Sequence, residues 1–590
     1  MTRAQSDVVA QLRRAGISRG DALAVVLARG VGLGLATPAG TLSVAADCDE
    51  PAEVVRRIEG DIRPRWIWWS KETPSALLEA GVRVATCYDI AAAHRLLYGG
   101  WRAEPALAWS LAHGLAPADI PTEVPPDLFS WRQDDGDAED PVRHDGYLRP
   151  EWSSGRCLDT SQRLRRWAEA AARVAPLQQA ELEGLADRRT AAATARSESA
   201  AELLCAELSA DGLPMDRRAA EDLIGRVAGE RPRSAAEAAE QRARRDGEVL
   251  RHVAGADGVD LRSPGQVRSL LRRVGLDLPD TRAARLRALS GTHPVVDALL
   301  AWRKAERLAS TYGYGWLDQH LGDDGRLRGA WSGSDGAAGR MTASSGLHNM
   351  PAEMRQAVVA EEGHLFVRAD LGQIEPRVLA AISGDEALAR ATVADDLYAP
   401  VAEQLAVDRA TAKVAVLGAM YGQTTGDGAR ALRRLEAAYP VAMAYLADAD
   451  RSGQVGQDVR TYGGRLIRLA GPHDDGELDP RQARGRAAAR GRYGRNAVVQ
   501  GAAAELFKVW AVTVRARAAG LDAQIVMCLH DELLVHAPAD NAPATAQLVA
   551  DCLQEAVRRW APNDSVRFLA DVAVIGRWSD AKPAAGAAAV

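Results

Sequence analysis

The chain has 590 residues, 47% of them hydrophobic and 26% charged, with a formal net charge of −6; at roughly 150 residues per domain it has room for about three to five domains. No apolar run reaches the roughly 18 residues that a membrane helix needs, and MTRAQSDVVAQLRR lacks an apolar signal core, so no membrane span and a cytoplasmic location are expected. The six cysteines are scattered without a CxxC pair, which argues against a zinc site and a disulfide framework; the acidic balance does not exclude nucleic acid, because phosphate contacts are made by local basic patches.

Residues 22–48 read as β-rich, with ALAVVLARGVGLGLAT followed by TLSVAA, and RWIWWS at 65–70 is a further apolar segment. The helical pattern of PSALLEAG and the strand-like VRVATCYD follow, so strand and helix signals alternate as in an α/β layer. From about 160 to 255 the pattern is helical and rich in Ala, Arg and Glu. Within it ERPRSAAEAAEQRARRDGEVLR carries charge on all sides, which reads as a solvated helical arm. Ser263-Pro264 is a helix entry, and PVVDALLAWRKAERLASTY at 294–312 is a second long helix. Residues 472–480 read as a polar loop and the last residues, AKPAAGAAAV, as disordered.

Three segments carry chemistry. HLFVRAD, 364–370, is an apolar strand pattern ending in Asp370; such an acid suits a metal ligand on a rigid element and serves equally as a cap for the next turn. AQIVMCLHDELLVHAP, 523–538, reads as two strands around a tight turn at His530-Asp531. That turn lacks the glycine such hairpins favour, so a strained backbone is expected there. If the two strands are neighbours, Asp370 and Asp531 meet, and paired carboxylates can bridge two Mg²⁺ ions about 3.5–4 Å apart. Hard oxygen ligands suit Mg²⁺ better than zinc. The third segment is a helix from the candidate N-cap Asp408 to Gly422 as its C′ residue. Arg409, Lys413, Leu417 and Tyr421 recur every fourth residue and share one face. The cations can grip phosphates, Lys413 can give a proton to departing pyrophosphate, and the rest offers an apolar and aromatic surface. An amphipathic helix with a basic end has the same pattern. Only five lysines occur in the chain, and Lys413 is one of them.

In the same order, these segments resemble the motifs of the family A DNA polymerases, the bacterial DNA polymerase I type. RADLGQIEPR is similar to the first motif at Asp370, Gln373, Ile374, Glu375 and Arg377; DRATAKVAVLGAMYG to the second at Arg409, Lys413, Tyr421 and Gly422; His530-Asp531-Glu532 to the third. GRMTASSGLHNMP at 339–351, RYGRNAVVQG at 492–501, ERLASTY at 306–312 and LRSPGQV at 261–267 extend the resemblance over about residues 200 to 575. It implies a right-hand polymerase with an antiparallel palm sheet and helical fingers and thumb, α/β and α+β in class, behind an RNase H-like exonuclease-type domain. The implied layout is an exonuclease-like domain at 1–180, a thumb at 181–312, and palm and fingers at 313–590 with the fingers about 386–500.

The resemblance also implies roles. Asp370, Leu371 and Asp531 hold two Mg²⁺ ions, with Lys413 and Glu532 completing the catalytic set. Arg409, Lys413, Leu417, Tyr421, Gln373 and His530 surround the dNTP, and Glu375 excludes a 2′-hydroxyl. Arg340, Asn349, Arg377, Arg492, Asn496 and Gln500 contact the primer-template. Arg481 to Arg495 is the densest basic run near the motifs, which supports a DNA track there. A monomer acting with the nucleoid is expected. Departures from the family pattern are Leu371-Gly372 in place of Tyr-Ser, Pro376 beside the gate, Leu417 in place of an aromatic residue and Tyr398 in place of a His. They bear on rate, fidelity and dideoxynucleotide discrimination.

The N-terminal third departs further. An exonuclease needs an Asp-x-Glu at the end of its first strand, and VVLARGVGLGLAT has no acid. No Asp follows Thr73, Trp167 and Ala171 stand where a Tyr and an Asp are wanted, and Asp89 reads as a structural acid. An inactive exonuclease fold is therefore expected, with no room for a 5′ nuclease domain. Residual editing, a single-subunit RNA polymerase and a polymerase-derived DNA-binding protein are the alternatives. Glu375 argues against the RNA polymerase, and the retained Asp370, Lys413 and Asp531 argue against the binding protein.

Overall fold

The computed structural model describes residues 3–122, 139–185, 188, 190–335, 338–422, 427–470, 479–562 and 565–581. The expected polar loop at 472–480, but for its last two residues, and the expected disorder after 581 lie outside them.

The N-terminal unit is built on five strands: β1 (Ala22–Ala28), β2 (Gly32–Ala36), β3 (Ser43–Asp47), β4 (Arg65–Trp68) and β5 (Thr86–Asp89), in the order β3-β2-β1-β4-β5. β1, β2 and β3 pair antiparallel, whereas β4 and β5 run parallel to β1. This is the α/β layer that the alternating strand and helix signals predict. Both faces of β1 are covered, because period-two alternation sends Leu23 and Val25 into one core and Ala24 and Val26 into another. Helix α1 (Ser161–Glu183) covers the second face and lies flush on β2 at Gly34, where a Cβ would sit 2.2 Å from the Arg165 main-chain nitrogen.

Helix α2 (Ala191–Asp211) runs from this unit into the rest of the molecule. Counted by position it falls in the expected thumb, but it packs between the N-terminal sheet and the C-terminal body, against β5 on one side and the chain's longest helix on the other. Its glutamates are buried and each is paired: Glu198 with Lys508 and Arg465, Glu202 with Arg95, Glu207 with Arg515. The helices 217–228, 235–250 and 264–273 and α3 (Pro294–Thr311) form the expected helical region; the last three share a separate apolar core around Val249, Leu271 and Leu299, whereas 217–228 gives Leu223 and Ile224 to the main core. Ser263 caps its helix by accepting from Gln266 N–H, with Pro264 in the first turn. The helix 235–250 buries only Val249, as a solvated arm should.

The central sheet has four antiparallel strands: β6 (His364–Leu371), β7 (Gln524–Leu529), β8 (Glu532–Pro538) and β9 (Ala570–Ile575), in the order β7-β8-β6-β9. Helix α4 (Ile374–Ser383) leaves the end of β6, α5 (Arg409–Tyr421) stands over it, and α6 (Pro480–Ala518) runs 39 residues, about 58 Å at 1.5 Å per residue. By length and composition 480–521 passes as a membrane span, but 83% of its apolar window is buried in the protein, as in a core helix. The six cysteines are all free.

Side chains from each part reach main-chain carbonyls of the other. Lys71 Nζ donates to Trp331 O at 2.9 Å, and Arg515 Nη2 and Nη1 to Val84 O and Ala85 O at 2.8 and 3.0 Å. Arg460 Nη2 donates to Leu97 O at 3.0 Å and Arg468 Nε to Tyr98 O at 2.6 Å.

Candidate active site

Asp370 and Asp531 are brought together by strand register. β6 pairs with β8 so that Asp370 faces Glu532, and Leu371 N–H donates to Asp531 O at 2.9 Å. The β7–β8 turn is the tight one expected, and His530 takes φ +55°, the left-handed region that non-glycine residues rarely adopt. That strain places Asp531 beside the end of β6. Burial and the neighbouring Asp370 push the Asp531 carboxyl up to about 7, and burial raises Asp370.

A cleft of about 450 Å³ gathers Asp370, Leu371, Gln373 and Glu375 from the β6–α4 junction, Arg409, Lys413, Leu417 and Tyr421 from one face of α5, and His530, Asp531 and Arg340. Helix α5 has the caps read from the sequence: Asp408 accepts from Thr411 N–H, and Gly422 is left-handed at φ +68°. A Cβ on Gly422 would also stand 2.8 Å from Cγ of Arg492, so glycine is required there twice over. Glu375 is fixed at both oxygens: Arg340 Nη2 donates to Oε1 at 2.7 Å and Tyr421 Oη to Oε2 at 2.8 Å. Its side chain is 13% exposed, so its carboxylate is a stiff wall and not a swinging arm. The Gln500 amide, with its oxygen toward Arg340, accepts from both Nη atoms at 3.3 and 3.0 Å. Arg492, Asn496 and Gln500 follow each other at four-residue steps on α6, and Arg492 and Asn349 are exposed.

The structure corrects several assignments. Arg377 is no DNA contact: it is 1% exposed, and its guanidinium donates to the carbonyls of Thr392, Ala394, Asp395 and Arg567. Glu532 does not line the cleft; it is buried, accepting from Trp578 Nε1 at 2.6 Å and Arg368 Nε at 3.2 Å, so it supports the site from behind. Gln373 lines the cleft, but both ends of its amide are spent on the next loop, donating to Asp396 Oδ1 and accepting from Leu397 N–H, each at 2.8 Å. Leu371 offers a ligand only through its main-chain carbonyl.

Two residues went unseen in the sequence. Asp396 binds the Arg409 guanidinium and holds it 5.8 Å over the Tyr398 ring. Its only sequence signal was its place just ahead of the helix at 398–405. Arg368 is bound to Asp370, and its signal was a cation two residues before a strand-end acid, on the same face of β6.

In the N-terminal unit, the core that takes Ala24, Val26 and Ala36 from β1 and β2 under α1 also holds tryptophans. Trp69 stacks on Trp167 at 4.6 Å, with Trp152 6.1 Å from Trp167. Trp167 and Ala171 are both core residues. Asp89 is 1% exposed, caps the helix at 90–98 and accepts from Trp68 Nε1 at 3.0 Å, as a structural acid does. Elsewhere Glu361, His364 and His536 cluster at the far end of β6 and β8. The two rings are stacked 9° from parallel, so their in-plane lone pairs cannot converge on one ion.

The sequence model of DNA polymerase family A matches residues 233–580. The chain is 33% identical over 331 residues to DNA polymerase I of Chloroflexus aurantiacus, covering 51% of this chain and 34% of that protein. It is 32% identical over 302 residues to the thermostable DNA polymerase I of Thermus aquaticus, covering 46% and 36%. The match thus spans about a third of the length of these relatives. Its fold is similar to the POL domain of Pol1 from M. smegmatis, solved with DNA primer-template and dNTP, at a TM-score of 0.68 and 22% identity over 97% of this chain and 98% of that one.

Proposed function

From its membership of DNA polymerase family A, we propose that the chain is a template-directed DNA polymerase, adding dNTPs to a primer 3′ end with release of pyrophosphate. The observation that carries this is the single cleft in which Asp370 and Asp531 face Arg409 and Lys413 across a fixed Glu375.

The donors fit a hard divalent cation: two carboxylates and one main-chain carbonyl, with the Asp531 acid pushed up to about 7 by burial and by its neighbour. Asp370, Asp531 and the Leu371 carbonyl would hold two Mg²⁺ ions. When bound, these supply a lowered pKa at the primer hydroxyl and charge stabilisation at the leaving pyrophosphate. The primer 3′ hydroxyl gives its proton to solvent, and its oxygen bonds to the α-phosphorus as the bond from that phosphorus to the pyrophosphate oxygen breaks. Arg409 and Lys413 grip the triphosphate, and Lys413 gives its proton to the leaving oxygen. Leu417 and Tyr421 wall the sugar and base, His530 closes the cleft beside Asp531, and Glu375 fills the space a 2′-hydroxyl would need. Arg340, Gln500, Asn496 and Arg492 form a polar track for the primer-template, with Asn349 at its edge.

Residues 1–180 act as an exonuclease-like unit without editing activity: no acid stands on β1, and the core that takes its Ala24 and Val26 also holds Trp69, Trp152 and Trp167. The remaining layout is the thumb up to 312 and the palm and fingers beyond, with α2 as the joint. The protein works as a monomer on chromosomal DNA. Primer extension on a primed template with dNTPs and Mg²⁺ tests the reading. The wild type should extend the primer and a folded Asp531→Ala should not. Extension by that variant at the wild-type rate would overturn the assignment.

A further inference from the structure

Asp370 faces Glu532 on one neighbouring strand and Asp571 on the other, so three carboxylates stand side by side across β8, β6 and β9. Like charges directly opposite in a sheet are destabilising. Arg368 answers them. Two residues earlier on β6, it lies on the same face and gives each guanidinium nitrogen to a different acid. Nη2 donates to Asp370 Oδ2 at 2.8 Å, Nε to Glu532 Oε1 at 3.2 Å and Nη1 to Asp571 Oδ2 at 3.3 Å. Arg368 is 6% exposed, and Trp578, covered by Arg355 at 4.2 Å, closes the pocket behind Glu532. A planar fork spread over three acids is a fixed charge, which a lysine could not reproduce.

We propose that Arg368 is a positioning residue that holds Asp370 ready for metal while competing with the divalent cation for its charge, and so sets the metal concentration at which the site fills. This rests on the reading of Asp370 and Asp531 as metal ligands. Without divalent metal the fork keeps the three acids from repelling one another. With metal, the resident positive charge one hydrogen bond from a ligand opposes the incoming one. A unit charge about 6 Å from a divalent ion changes its affinity by about tenfold at the dielectric of water, and by more beside a buried guanidinium, so tenfold is the least that removing it should give.

The test is Mn²⁺ binding, followed by the electron paramagnetic resonance of the free ion, to the full chain without DNA or dNTP. Arg368→Met should bind Mn²⁺ at least about tenfold more tightly while melting at a lower temperature without metal. Arg368→Lys, with a single point of attachment, should fall between it and the wild type, and serves alone if the methionine variant does not fold. The Mg²⁺ concentration for half-maximal primer extension should drop in the same order. A lower melting temperature with Mn²⁺ binding no tighter than wild type would show a structural role only and overturn the proposal. A wild type that bound no Mn²⁺ would overturn it together with the metal reading itself, whereas wild-type binding with no tightening in either variant overturns the proposal alone.

Discussion

Glu375 offers the sharpest test of the proposed choice of sugar in the cleft. Its carboxylate is held by Arg340 at 2.7 Å and Tyr421 at 2.8 Å, so it cannot yield without breaking a charge-assisted hydrogen bond. A ribonucleotide must either press its 2′-oxygen into this wall or displace it. Overpacking by one heavy atom costs about 1–3 kcal/mol; at about 1.4 kcal/mol per decade, that is roughly 5- to 150-fold in selectivity. Glu375→Ala removes the wall and should raise ribonucleotide incorporation relative to deoxynucleotide by that factor. Glu375→Gln keeps the volume, loses the charge that Arg340 reads, and should retain most of the discrimination. The assay is single-nucleotide insertion with dNTP and rNTP, reported as the ratio of kcat/KM. Unchanged discrimination in the alanine variant would refute the gate, and equal loss in both variants would replace sterics by charge as its basis.

Three further expectations follow from buried groups. A 3′-mismatched primer with Mg²⁺ and no dNTP should stay intact over hours; shortening lost on deleting residues 1–180 would reveal an editing site. Lys508→Met leaves Glu198 buried with only Arg465 beside it, where Lys508 Nζ had reached both its oxygens at 2.7 and 2.6 Å. The loss should be about 3–5 kcal/mol in urea denaturation, and an unchanged midpoint would refute the account. Burial pushes both Asp89 and Glu505 up to about 7 and His94 and His536 down to about 4. The folded acids hold protons that the unfolded chain releases, so their contribution is lost as the pH rises through about 7. The histidines work the other way, below about 6.5. The urea midpoint should therefore fall from pH 6.5 to pH 8, and a rising midpoint would contradict the burial of these acids.

What could be read from the sequence was local. Asp408, the four-residue steps of Arg409 to Tyr421 and Gly422 define α5 within a few turns of chain, and each lies where the pattern put it. The apolar run into Asp370 and the glycine-free turn at His530 are equally local, down to the left-handed backbone. Arg377 shows the limit. As a cation in a polymerase motif it reads as a DNA ligand, yet carbonyls from 392–395 and 567 claim it, and no local pattern records where those carbonyls will be. Helix α2 misleads for the same reason. Glu198, Glu202 and Glu207 look like the solvated side of a helix, and they are buried only because Lys508, Arg465, Arg95 and Arg515 arrive from distant segments. Glu532 and Arg368 became a pair through strand order, which is a long-range property of the sheet.

The carbonyls that the N-terminal unit lends to Arg515, Arg460 and Arg468 make it a permanent fixture. A fragment trimmed of that unit would carry the face of α2 that packs on β5, with Ala195 and Leu203, bare to water. Such a fragment should be less soluble than the whole chain even if every residue of the cleft were present. The sheet at the N-terminus then serves as formwork: it keeps the shape of the body cast against it, whether or not it ever cuts a strand.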